Sequence, residues 1–180
     1  ETIFDYCLSQ LKDCKNMTDE IAALSGLSNF DCPQRRIALS LFYDKWASEE
    51  LVLDKWFAVQ ALSRLPDTLS DVESLLGHKD FSLRNPNKVR SLIGNFCHGN
   101  HNHFHAEDGN GYRFCAKQVI KIDHINPQIA ARLARSFDSW KRLEGTTRRT
   151  HAIESLETIK NSPNLSKDTY EIVSRTLDND

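Results

Sequence analysis

Two arginines stand early in helices that open in the same way. Asn85-Pro86-Asn87-Lys88-Val89-Arg90-Ser91-Leu92-Ile93-Gly94 and Asn126-Pro127-Gln128-Ile129-Ala130-Ala131-Arg132-Leu133 each begin with an Asn able to cap a helix. The Pro that follows loses nothing at a first helical position, where its missing N–H would have no partner and its fixed φ is already helical. Arg90 follows its Asn by five residues and Arg132 by six. A guanidinium aimed from such a helix into a cavity can grip a carboxylate or carbonyl through two parallel hydrogen bonds. On an ordinary surface the same group is solvated or paired with a nearby acid. Asn87 and Gln128 lie on the same first turns as lesser polar companions.

A second candidate is Cys97-His98-Gly99-Asn100-His101-Asn102-His103-Phe104-His105, with Glu107 and Asp108 just beyond. Imidazoles and a thiol are zinc and nickel ligands. Ligands spaced by one or two residues in a turn do not converge on one ion, so this stretch is expected to be a polar inter-helix turn, neither catalytic nor a structural metal site. Asp108-Gly109-Asn110-Gly111 resembles the opening of a calcium loop, but the Glu required at its twelfth position is missing. It is expected to be a tight turn whose glycines supply positive φ. Other catalytic patterns are absent. There is no H-E-x-x-H, no G-x-S-x-G elbow and no phosphate-cradling glycine loop.

What positions these groups is helix throughout. The chain has 180 residues, enough for one domain with a substantial core, and its 39% apolar and 27% charged content is that of an ordinary globular protein. Lys plus Arg (23) against Asp plus Glu (25) leaves a net charge of −2, without the basic footprint of a nucleic-acid binder. No apolar run approaches the ~20 residues that span a bilayer. The five cysteines form no C-x-x-C pair and are expected to be reduced structural thiols in a cytoplasmic protein. The sequence begins at Glu1 without Met, which suggests a segment of a longer polypeptide.

Asp31, Ser48, Ser70, Asn85, Asn126 and Ser166 are the expected helix caps, Ser70 with Glu73 as a capping box. Asp31 to Ser70 is 39 residues, Asn85 to Asn126 is 41, and Asn126 to Ser166 is 40. Helix pairs recurring about every 40 residues predict an all-α solenoid of HEAT or armadillo type. An irregular helical bundle is the alternative. Ile37, Ala38, Leu41, Phe42 and Trp46 should form one apolar face, and the run Val52, Leu53, Trp56, Phe57, Val59 and Leu62 should be buried between neighbours. The Trp46, Trp56 and Phe57 cluster is expected to be core. No stretch alternates with period two, so no sheet is expected.

The two Asn-Pro helices, with Val52-Leu53-Asp54-Lys55-Trp56-Phe57 and Phe104-His105-Ala106-Glu107-Asp108-Gly109-Asn110-Gly111-Tyr112, resemble the C-terminal helical domain of bacterial-type aminopeptidase N, a zinc-dependent exopeptidase. The likeness runs from about Asp31 to the end; His98, His101 and His103 depart from it. The resemblance implies that residues 1–180 form a single C-terminal helical-repeat domain. Its partners would be the catalytic domain of the same polypeptide and peptide substrates, with neither nucleic acid nor membrane. Zinc would lie in the full-length enzyme and no cofactor in this segment. The domain would cap the catalytic chamber, limit access and place Arg90 and Arg132, with Asn87 and Gln128, against the distal part of a peptide. Alone it would hydrolyse nothing. A free-standing helical-repeat scaffold that binds a protein is the rival reading, and a metal-storage or metal-sensing module built on the histidines is a third.

Overall fold

Thr2, Asn16, Asn85, Asn100, Asn126 and Ser166 open their helices with side-chain caps, while the other described α-helices start without one. A computed structural model describes residues 2–143 and 145–178. Thr2 and Asp5 close a capping box on α1 (Ile3–Asp13), and Asn16 caps α2 (Met17–Leu27) by accepting from the Asp19 N–H. Helices α3 (Pro33–Trp46), α4 (Glu50–Ala61) and α5 (Thr68–Leu75) follow. Pro86 opens a composite helix of α6 (Pro86–Val89), a π-helical turn (Arg90–Gly94) and α7 (Asn95–Gly99). The short α8 (His101–Phe104) leads into α9 (Asn110–Asp123) and α10 (Pro127–Ala134). Two 3₁₀ turns, Arg135–Phe137 and Trp140–Leu143, precede α11 (Thr147–Lys160) and α12 (Lys167–Asp178).

Successive helices pack on one another as stacked hairpins: α1 on α2, α3 on α4, the π turn against α4, α9 on α10 and α11, and α10 on α12. There is no strand among the described residues. The fold is therefore the all-α helical-repeat architecture that the ~40-residue spacing implies. One continuous core runs through it, with Phe42, Phe57, Phe96, Phe104, Tyr112 and Phe137 fully enclosed. Each such ring contributes roughly 1.5–3 kcal/mol of apolar burial.

Polar ties fix the stacking. Lys88 Nζ, buried under the π turn, donates to Asp54 Oδ1 at 2.7 Å and to the Glu50 carbonyl at 3.0 Å, joining the composite helix to α4. Asn100 Nδ2 donates to the Ala61 and Ser63 carbonyls at 2.9 and 2.8 Å. Asp123 accepts from Ser166 N, Ser166 Oγ and Thr169 Oγ1, which seats α12 on the end of α9. Burial alone raises the Asp123 carboxyl, but those three hydrogen bonds outweigh it and hold the group below its ordinary pKa.

Several expectations change. Cys32, not Asp31, precedes Pro33 as the cap of α3, and Glu49, not Ser48, stands before α4. Helix α5 begins at Thr68, so Ser70 is inside it and forms no capping box. Asn85, Asn126 and Ser166 do cap their helices, through the Asn87, Ile129 and Thr169 N–H groups. On α3 the core takes Ala38, Leu39 and Phe42, while Ile37 and Leu41 face outward. Leu62 is exposed at the end of α4, past the buried run. Trp56 and Phe57 are core; Trp46 is half-buried, its indole donating to the buried Glu20. All five cysteines are free thiols.

Candidate functional site

Asn85 and Asn126 set the entry of two helices that meet along one slot. Val89 from α6, Gly94 from the π turn, His98 from α7 and Ile129 and Leu133 from α10 line it, with Pro86 at one end. Arg90 and Arg132 form its two cationic walls. The enclosed volume is about 70 Å³, and the lining is apolar apart from the two guanidiniums and the imidazole.

The slot owes its shape to two local features. Lys88 and Val89 turn inward to α4 and the core, which leaves Arg90 outward at the first residue of the π turn. The wider π turn carries one extra residue per turn and shifts the side chains that follow, a feature often found at functional sites. On α10, Ala130, Ala131, Leu133 and Ala134 are buried, so Gln128 and Arg132, four residues apart, share the outer face.

Both guanidiniums are exposed, and neither makes an ion pair among the described residues. Arg90 Nη1 donates to Asn87 Oδ1 at 3.3 Å, so Asn87 steadies the arginine from one turn back. Gln128 is exposed and does not line the slot. His98 is exposed on α7, and the desolvation it does meet pushes its imidazole pKa down, only partly countered by Asp138. It is therefore neutral at pH 7, and the slot's charge comes from the two arginines. Such a slot suits a carboxylate or peptide carbonyl bound between the guanidiniums, with an apolar group beneath.

The histidine stretch is not a loop. Cys97, His98 and Gly99 finish α7, while His101 and His103 belong to α8. His105 Nδ1 lies 2.7 Å from Tyr112 Oη, and His101 stacks on His105 with ring centroids 5.8 Å apart. Burial raises the Tyr112 phenol to about 12 and lowers the His105 imidazole, so a protonated phenol and a neutral ring share this hydrogen bond. Among the described residues no three of His, Cys, Asp and Glu are grouped to hold a metal ion. The described residues therefore offer zinc no ligand set. In the following turn Gly109 does take positive φ (70°), but Gly111 is helical; its reason is space, since a Cβ there would lie 2.5 Å from the Phe104 carbonyl oxygen.

Sequence reasoning missed His98 as part of the arginine slot because it was grouped with the neighbouring imidazoles; its place four residues after Gly94 on one helix was the available signal. Lys88 was also missed. Its partners, Asp54 and Glu50, lie more than thirty residues upstream, and no local pattern marks them.

The chain is similar to aminopeptidases N from several bacteria. It is 40% identical over 168 residues to that of Escherichia coli (strain K12), covering 93% of this chain and 19% of the relative. The Caulobacter vibrioides enzyme is 40% identical over 166 residues, and the Haemophilus influenzae enzyme 38% over 165, again about one-fifth of each relative. Among solved structures, Legionella pneumophila aminopeptidase A in complex with aspartic acid superposes with a TM-score of 0.92 at 34% identity, over 98% of this chain and 21% of that one. The chain thus spans about one-fifth of the relatives it matches. The family described as "Domain of unknown function (DUF3458_C) ARM repeats" matches residues 1–178. On that match, and on the stacked hairpins that carry it, this chain belongs to the DUF3458_C family of ARM-repeat domains and is related to the aminopeptidases N.

Proposed function

We propose that this chain is the C-terminal, non-catalytic part of a cytoplasmic zinc aminopeptidase that removes N-terminal amino acids from peptides. It caps the catalytic chamber, limits access to it, and positions the distal part of the peptide. The observation that carries this reading is the slot in which two exposed guanidiniums, neither ion-paired among the described residues, flank an apolar floor. Similarity to aminopeptidases over one-fifth of their length supports an accessory role beside a separate catalytic domain, which would hold the zinc. Free thiols throughout are in keeping with a reducing compartment.

The chain's own contribution is electrostatic and steric. A peptide carbonyl or terminal carboxylate between Arg90 and Arg132 gains charge-assisted hydrogen bonds, each worth roughly 1.5–3 kcal/mol. Asn87 holds Arg90 in place for that contact, and Gln128 stands on the same helix face as Arg132. In the enzyme that carries this chain, Arg90→Ala should raise KM for tripeptides about tenfold, at about 1.4 kcal/mol per factor of ten. Arg90→Lys should recover only part, since an ammonium cannot form the paired contact. An unchanged tripeptide KM in Arg90→Ala would remove this arginine from substrate binding.

A further inference from the structure

A second cavity, of about 530 Å³, opens between α5 and the first two turns of α9. One wall carries Asp67 and Glu73 and the opposite wall carries Arg113 and Lys117, with Ser70 and His103 among the remaining lining groups. Glu73 and Lys117 are exposed, and no ion pair crosses the cavity among the described residues. Opposite charges that face each other without closing leave both walls hydrated and available. Arg113 is held ready: its Nη2 donates to the Asp108 carbonyl at 2.5 Å and to Asn110 Oδ1 at 2.8 Å, which leaves further N–H donors for a ligand. Asp108, whose carboxylate accepts from Asn110 N and Nδ2, also lines the cavity beside Arg113, so this wall carries two cations and one anion and stays net positive.

We propose that this cavity binds a short unblocked peptide, its α-ammonium toward Asp67 and Glu73 and its carboxylate toward Arg113 and Lys117. The charge arrangement calls for a zwitterion. The volume is within the ~300–1,000 Å³ of small-molecule sites and favours a few residues over one free amino acid. Divalent cations fit poorly, because the acidic groups are not gathered about a point. The site is separate from the arginine slot. It lies at the N-terminal end of α9, a helix of 14 residues and so about 21 Å long, while α10 and its Arg132 follow the other end. The inference therefore stands independently of the role given to Arg90 and Arg132.

Trialanine, free alanine and N-acetyl-trialanine amide, titrated into the ¹⁵N-labelled chain and followed by amide shifts, test it. We expect saturable shifts around Glu73, Arg113 and Lys117 with trialanine, at least fivefold weaker binding of alanine, and none of the blocked peptide. Glu73→Gln and Lys117→Gln should each weaken trialanine about fivefold; both positions are exposed, and circular dichroism confirms folding. Arg90→Ala with Arg132→Ala should leave these shifts unchanged. No saturation by 20 mM trialanine, equal binding of the blocked peptide or of alanine, or affinity that survives both charge removals would overturn the proposal.

Discussion

Lys88→Met should destabilise the chain by about 3 kcal/mol. The Lys88 side chain is 5% exposed and its Asp54 partner 17%. Nζ makes two hydrogen bonds, one to a carboxylate and one to the Glu50 carbonyl, and stands 5.7 Å from the Phe57 ring centroid. Removing one partner of a buried pair costs roughly 3–5 kcal/mol, because the other charge stays without compensation. Asp54 retains some access to water, which trims the loss toward the lower end. For a chain of this size about 3 kcal/mol lowers Tm by roughly 6–12 °C. Urea unfolding followed by far-ultraviolet circular dichroism measures it, with an unchanged m-value showing that only stability moved. Asp54→Leu added to Lys88→Met should recover most of the loss, since two apolar groups replace the pair and no charge is stranded. A loss below about 1 kcal/mol, or a double variant worse than Lys88→Met alone, would refute the reasoning. The tie matters to the slot because Lys88 anchors the turn from which Arg90 projects.

Gly111→Ala should destabilise by about 2–3 kcal/mol, since the new Cβ meets the Phe104 and His103 carbonyl oxygens at 2.5 and 2.7 Å, backbone atoms that cannot turn aside; thermal unfolding checks this, and an unchanged Tm would contradict it. His105 has its pKa lowered by burial, so the unfolded chain takes up its proton first as pH falls. Its contribution to stability is therefore complete above about pH 6.5 and declines as pH drops through and below that value. A ring titration by NMR should place His105 below ~6.5, and a midpoint above that would show that the folded state favours the charged ring.

Features set by neighbouring residues were legible in the sequence. Asn85-Pro86 and Asn126-Pro127 announce helix starts because the cap accepts from N–H groups two or three positions on, and Ser166 does the same. At Cys32-Pro33 only the proline marks the start, since Cys32 makes no side-chain cap bond, and Asp31 was one residue off. Ser70 failed because Thr68 already opens α5, its hydroxyl turned back to the Ser63 and Leu65 carbonyls. Which face of α3 is buried was not legible: Ile37 and Leu41 are as apolar as Leu39, and only the positions of α1, α2 and α4 decide among them. The π turn and the Lys88–Asp54 pair likewise arise from packing between hairpins. Of the site, Arg90 and Arg132 could be named from the helix starts and the resemblance, but their convergence on one slot with His98 is a property of the fold.

The most direct measurement is the ratio of kcat/KM for tetra-alanine to that for alanine p-nitroanilide, in the enzyme carrying this chain and in its Arg90→Ala, Arg132→Ala double variant. If the slot positions the distal part of a peptide, that ratio falls at least tenfold while the anilide, too short to reach the arginines, changes less than threefold. Equal losses on both substrates, or a drop in Tm large enough to explain them, would show that the two arginines hold the fold and not the peptide.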